Sequence, residues 1–179
     1  MGLEAVVRAY LAQVVRAARG AGFTAPQAEE LAQETFATFV ETARRFEGRS
    51  HVRTWLFGIL YRKMAEARRA LGRDRQTDDI DAVMESRFDA RGRWRQPPRA
   101  ADDLIYAEQV RRGIGECLDE APLAQRTAFV LREVEELPTP EICKILEVSS
   151  TNLGVMMYRV RNRLRTCLEA KGIGRSDGC

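Results

Sequence analysis

The chain is predicted to be all-α, with two small helical domains joined by a flexible linker and a helix-turn-helix in the second. Three observations lead there. In every patterned stretch apolar residues recur at three- and four-residue spacing, and no stretch alternates as a strand would. Between residues 73 and 102 the periodicity vanishes: RDRQTDDIDAVMESRFDARGRWRQPPRA mixes both charge signs and runs into Pro97-Pro98, the composition of a linker. Finally, PTPEICKILEVSSTNLGVMMYRVRNRLRTCL reads as a short helix, a tight turn and a longer basic helix. The division is therefore 1–72, 73–102, 103–173 and a tail at 174–179.

The first helix runs from Leu3 to Ala18, with Ala5, Val6, Ala9, Tyr10 and Val14 along one side, and Gly20 and Gly22 break it. Thr24-Ala25-Pro26-Gln27 is a capping sequence with proline in the first turn, opening a helix that reaches about Arg45. Its core face is Ala28, Leu31, Ala32, Thr35, Phe36, Phe39 and Val40, and Glu29, Glu30 and Glu34 suit the positive end of its dipole. A polar loop, Phe46 to His51, precedes the helix VRTWLFGILYRKMAEARRAL. Its buried stripe is Val52, Trp55, Leu56, Ile59, Leu60, Met64 and Ala67. Off that stripe Arg53, Phe57 and Tyr61 stand one above another. Arg62, Lys63, Arg68 and Arg69 add charge. Cations for phosphates beside flat rings for unstacked bases suit single-stranded nucleic acid. The other reading of Phe57 and Tyr61 is packing against the first helix.

Phe88 and Trp94 are large aromatics in the linker and are expected to dock on a surface. In the second domain Leu104, Ala107, Val110, Ile114 and Leu118 trace one helix, and Leu123 to Glu135 forms another with Ala124, Ala128, Val130, Leu131 and Val134 apolar. Then comes the helix-turn-helix. Thr139 caps its first helix, Pro140 occupies the first turn, and Ile142, Ile145 and Leu146 face inward. Ser149 or Ser150 caps the second helix, whose core positions are Leu153, Met156, Met157, Val160, Leu164 and Leu168. Arg159, Arg161, Arg163 and Arg165 lie off that stripe.

Composition narrows the function classes. A 179-residue chain with 45% hydrophobic and 31% charged residues builds globular cores under a polar surface, and its net charge of +3 says little about partners. No apolar run is long enough to span a bilayer, and the N-terminus lacks a signal-peptide layout, so a cytoplasmic protein without membrane insertion is expected. The cysteines Cys117, Cys143, Cys167 and Cys179 match no standard zinc spacing and are expected to be reduced thiols. His51, the only histidine, has no acid or nucleophile near it in sequence. Catalysis, a metal and a cofactor are not expected.

The ordered set AEELAQETFATFV, FEGRSHVRTWLFGILYRKMAEARR, a linker, and EICKILEVS followed by YRVRNRLRTCLE resembles bacterial RNA polymerase sigma factors of the extracytoplasmic-function group. The resemblance covers Leu3 to Ala70 and Leu104 to Lys171. It implies a transcription initiation factor that binds core RNA polymerase and promoter DNA, as duplex at the −35 element and as a melted strand at the −10 element, with an anti-sigma factor as regulator. Glu29, Glu30, Leu31, Gln33, Glu34, Phe36 and Phe39 match the polymerase-docking helix. Gly48, Arg49, Ser50 and His51 match the base-capturing loop. Arg53, Phe57, Tyr61, Arg62 and Lys63 match the helix that holds the melted strand, with Trp55 structural. In the recognition helix Ser150, Thr151, Asn152 and Val155 are candidate base contacts, and Arg159, Arg161 and Arg163 are placed for phosphates. Glu147 stands where the family usually has glycine. A left-handed backbone there would cost about 1 kcal/mol, so a different turn is expected. Gly154, Val155 and Met156 replace a basic and polar run, so arginine or lysine is not expected to read bases at the start of the helix. The alternative function is a stand-alone helix-turn-helix regulator with an N-terminal helical sensing domain.

Overall fold

A computed structural model of the chain describes residues 3–43, 51–72 and 104–173. The linker with Phe88 and Trp94, the loop residues Gly48, Arg49 and Ser50, and Cys179 lie outside these. Among the described residues the regular structure is helical: α1 (Leu3–Gly20), α2 (Ala25–Thr42), α3 (Val52–Ala70), α4 (Leu104–Leu118), α5 (Leu123–Glu133), α6 (Thr139–Leu146) and α7 (Ser150–Ala170). None of these helices is long and apolar enough to cross a membrane.

In the first domain α2 packs on both α1 and α3. The chain turns out of α1 at Gly22, whose φ of 96° suits a residue without Cβ. Helix α2 begins as the sequence implies: Pro26 sits in the first turn and the Thr24 N–H donates to Gln27 Oε1 at 2.9 Å. Two expected faces shift. Ala5 and Ala9 are exposed, while Ala17 and Ala18 are buried. Val40, assigned to the core face of α2, is 45% exposed.

In the second domain α7 packs against α4, α5 and α6. The turn of the helix-turn-helix corrects the expectation from Glu147. That residue adopts the left-handed conformation (φ 57°, ψ 42°) despite its side chain, and its N–H closes on the Cys143 carbonyl. Ser149 caps α7, its Oγ accepting from the Asn152 N–H at 3.1 Å. The thiol expectation is also corrected. Packing of α4 on α7 brings Cys117 and Cys167 to a Cα–Cα distance of 5.7 Å, within disulfide range, and they are bonded; Cys143 is free. An expectation based on compartment could not anticipate that pairing, because the two cysteines stand 50 positions apart.

The domains pack together, α3 on α6 and α1 on α5, and their buried side chains form one continuous apolar core. Polar contacts line the seam. Arg16 donates through Nε and Nη2 to the two carboxylate oxygens of Glu135, at 2.7 and 2.8 Å. Arg126 Nε donates to the Gly20 carbonyl, with its Nη1 on Asp119. Beside it, Gly20 lies so close to Val130 that an added Cβ would come within 2.8 Å of a valine methyl.

A disulfide closing a loop of this size stabilises by about 2–4 kcal/mol. Thiol reductant is therefore expected to lower the thermal unfolding midpoint. Cys167→Ala should remove the response to reductant, and Cys143→Ser should leave it intact.

Candidate nucleic-acid interface

Helix α3 has three helices against it, α1, α2 and α6, so more of its circumference is buried than a single apolar stripe would cover. Thr54, Leu56, Phe57, Ile59, Leu60 and Met64 are all buried. Phe57, assigned to the strand-binding set, is buried at 2% exposure in this packing of the helices. Trp55 is half-buried and meets Phe39 edge-on, with ring centroids 5.2 Å apart, consistent with a structural role. What α3 presents is His51 and Arg62, exposed, with Arg53, Tyr61 and Lys63 half-buried.

The cations of this face already have acidic neighbours. Glu141 of α6 accepts from Thr54 Oγ1 at 3.0 Å and lies 4.0 Å from Arg53. Glu147, in the turn, accepts from Arg62 at 2.6 Å. Lys63 sits between Glu34 of α2 and Glu66, at 3.8 and 3.7 Å. Sequence reasoning did not find Glu141 and Glu147 as neighbours of α3. They stand 87 and 85 positions from their partners, and no local pattern links them.

On α2 the polymerase-docking candidates split by depth. Leu31, Phe36 and Phe39 are core residues at 5%, 8% and 7% exposure, which corrects their assignment as contacts. Glu29, Glu30, Gln33 and Glu34 are exposed, and Val40 continues their side of the helix.

The start of α7 is open: Ser150, Thr151, Asn152, Gly154 and Val155 are exposed, Val155 to 42%. A Cβ added at Gly154 would meet nothing within 4 Å. The arginines farther along make intramolecular contacts. Arg161 pairs with Glu133 at 2.7 Å, Arg163 donates to the Glu120 carbonyl at 3.3 Å, and Arg165 pairs with Glu169 at 2.7 Å. Arg159 is half-buried. No group of three or more histidine, cysteine, aspartate or glutamate residues that could hold a metal ion occurs among the described residues.

Residues 6–74 match the pattern of Sigma-70 region 2, and residues 111–164 that of Sigma-70, region 4. The chain is 30% identical over 152 residues to a probable RNA polymerase sigma factor of Haemophilus influenzae, covering 80% of this chain and 78% of that protein. It is 24% identical over 135 residues to the ECF RNA polymerase sigma-E factor of Escherichia coli, covering 75% and 70% of the two. Its fold is similar to that of the sigma factor RpoE in complex with the anti-sigma factor NepR from Bartonella quintana. The TM-score is 0.66 at 20% identity, over 93% of this chain and 96% of that one. CnrH in complex with the cytosolic domain of CnrY is similar to the same degree, with TM-score 0.66, 18% identity, and 94% and 88% covered.

The depth of the two α3 rings separates their roles. Phe57→Ala is expected to cost about 3–5 kcal/mol in chemical denaturation, as removal of a buried aromatic ring does. Tyr61→Ala, at a half-buried position, should cost well under half of that.

Proposed function

The chain belongs to the extracytoplasmic-function group of RNA polymerase sigma factors, and we propose that it acts as a cytoplasmic transcription initiation factor with no chemistry of its own. It binds core RNA polymerase and directs it to −35 and −10 promoter elements, and an anti-sigma factor holds it in check. The carrying observation is the order of two different nucleic-acid surfaces in one chain. A region-2 domain with a cationic, partly aromatic helix precedes a region-4 domain with a capped helix-turn-helix.

Each surface suits one task. On α2, Glu29, Glu30, Gln33 and Glu34 form an exposed acidic row for a basic face of the polymerase, with Val40 as an apolar continuation. On α3, Arg53, Arg62 and Lys63 supply positive charge to the phosphates of a melted strand, and Tyr61 supplies a ring edge for its bases. His51 at the start of α3, with Gly48, Arg49 and Ser50 before it, is assigned to base capture. Strand opening costs stacking and pairing energy, which phosphate contacts and captured bases offset. At the −35 element Ser150, Thr151 and Asn152 are the polar base contacts, and Val155 is placed to meet a thymine methyl. Arg159, Arg161 and Arg163 serve the phosphates, which fix register and carry no sequence information. We assign residues 1–72 and 103–173 to these two domains and 73–102 to the segment spanning them.

Run-off transcription with core polymerase on a genomic promoter library tests the proposal. Specific starts that depend on the chain are expected. Arg53→Ala and Tyr61→Ala should lower strand opening, read by permanganate footprinting, more than they lower polymerase binding. Reversing Glu29 and Glu30 to lysine should weaken polymerase binding by at least about tenfold, since like charges would then face each other. Palindrome binding without polymerase, and no starts with it, would identify a stand-alone regulator instead.

A further inference from the structure

We propose that Cys117 and Cys167 are a redox-responsive pair, oxidised by hydrogen peroxide and reduced by a dithiol, whose disulfide pins α4 to the far half of the recognition helix. Oxidation thereby strengthens the phosphate anchoring of α7 and leaves its base reading unchanged. The reducing compartment, and the step from pinning to promoter binding, rest on the function proposed above. The chemistry of the pair and its hold on α4 do not.

In a reducing compartment a disulfide is seldom a permanent brace; it forms on oxidation and is undone by cellular thiols. The packing of α4 on α7 prepares this one. Gly113 brings the helices so close that an added Cβ would fall 2.5 Å from Ile173 Cδ1 and 3.1 Å from Leu168 Cδ2. Lys171 pairs with Glu116 at 2.7 Å, and Arg163 donates to the Glu120 carbonyl at 3.3 Å. These contacts bracket the two cysteines, whose Cα atoms stand 5.7 Å apart. Access to the two sulfurs is unequal: Cys117 is buried at 3% exposure, and Cys167 is half-buried. Cys167 is therefore the sulfur that meets reagents. Its thiolate attacks one peroxide oxygen, an S–O bond forms as the O–O bond breaks, and the departing hydroxide takes up the released thiol proton to leave as water. The Cys117 sulfur then displaces that oxygen, the S–S bond forms, and a second water leaves with the Cys117 proton. Two thiols lose the two electrons that the peroxide gains. In the return step a dithiol attacks Cys167, Cys117 leaves and takes a proton, and the second thiol of the reductant displaces Cys167.

Helix α4 depends on this bond more than α7 does. It packs chiefly on α7, whereas α7 also packs on α5 and α6. Without the bond, α4 is held by the close approach at Gly113 and by an ion pair exposed on both sides, which contributes little. The α4 contacts on α7 run from Arg163 to Ile173. Ser150, Thr151, Asn152 and Val155 lie toward the other end of the helix. A loosened α4 therefore withdraws support from the phosphate arginines, Arg163 first, and leaves the base contacts in place. Phosphate contacts position the helix and carry no sequence information, so the redox state shifts affinity at the −35 element alike across promoters.

The full-length chain is oxidised with hydrogen peroxide, freed of it, and compared with the chain reduced by dithiothreitol. Cys143→Ser and the double variant Cys117→Ala/Cys167→Ala are treated in the same way, and circular dichroism checks that each keeps its helix content. Peptide mass spectrometry should find Cys117 joined to Cys167 after peroxide, and the dithiol should reopen the bond in the folded chain. Amide hydrogen exchange in α4 should be at least about tenfold slower in the oxidised chain. In run-off transcription with core polymerase on the promoter library at raised salt, the oxidised chain should give starts about threefold stronger, promoter by promoter alike. That is the gain when a competent state rises from about one-third to full population. Cys143→Ser should respond as wild type does, and the double variant should behave as the reduced chain after either treatment. If the double variant loses helix content, the oxidised and reduced wild type still make the comparison. A peroxide-formed bond between other cysteines, or one that resists the dithiol, would overturn the redox pair. Equal α4 exchange in the two forms would overturn the pinning. Starts that change in identity, or do not change at all, would overturn the anchoring. Absence of starts from every form would count against the sigma reading, while mass spectrometry and exchange would still decide the pair and its hold on α4.

Discussion

A carboxylate at 2% exposure has given up nearly all of its water, and Glu135 is tolerable there because Arg16 meets both of its oxygens. The hydrogen bond to Glu135 raises the Arg16 pKa beyond its ordinary high value, with partial burial opposing and charge attraction adding to it. Much of the closed molecule is arranged around this pair. Glu135 stands just past the end of α5, so fixing it on α1 fixes α5 as well. The chain then turns through Glu136, with φ 53°, and Leu137, buried at 1% and bonded back to the Leu131 carbonyl. That turn delivers α6 to α3. The ion pair thus stands on the stretch of chain that leads from α5 into α6, and α6 packs on α3.

The sequence displays the helices almost completely and their surroundings hardly at all. Periodicity places all seven helices among the described residues within a few positions, because each has an apolar stripe that must be buried whatever covers it. How wide the stripe is depends on how many neighbours the helix has. Phe57 looked like a surface ring because one stripe was assumed for α3, yet three helices pack on α3 and bury it. Val40 and Val134 err the other way, continuing an apolar face past the point where a neighbour covers it and standing 45% and 47% exposed. The cations and the tyrosine on α3 and the capped start of α7 were legible as surface features. The seam was not, because Arg16 and Glu135 are 119 positions apart and Thr54 and Glu141 are 87 apart.

The recognition helix shows how a departure from a family's usual residues can keep the geometry and change the chemistry. Glu147 takes the left-handed conformation that glycine usually supplies, so α6 and α7 keep the usual turn and gain a carboxylate that reaches Arg62. The exposed first turn of α7 offers Ser150, Thr151 and Asn152 for hydrogen bonds, and Gly154 and Val155 for close apolar approach. With no long cation in that turn, the base reading proposed for the upstream element is left to short polar groups and methyl contact.

Charge is divided along the same lines. With 29 lysines and arginines against 26 acids the chain is nearly neutral, and most basic side chains that could meet phosphate already have an acid within reach. Arg62–Glu147 and Arg161–Glu133 are solvent-exposed on both sides, and pairs of that kind contribute at most about 1 kcal/mol each. A phosphate can therefore displace the carboxylate at little cost, and the cation changes partner without passing through an unpaired state. Arg16–Glu135 cannot be exchanged in this way, because removing Arg16 would leave a carboxylate buried and alone. The exchangeable pairs lie where DNA is proposed to bind, and one of them, Arg62–Glu147, joins the two domains as the unexchangeable Arg16–Glu135 does. DNA alone can thus take over the cations it reaches, but it gains nothing at α1.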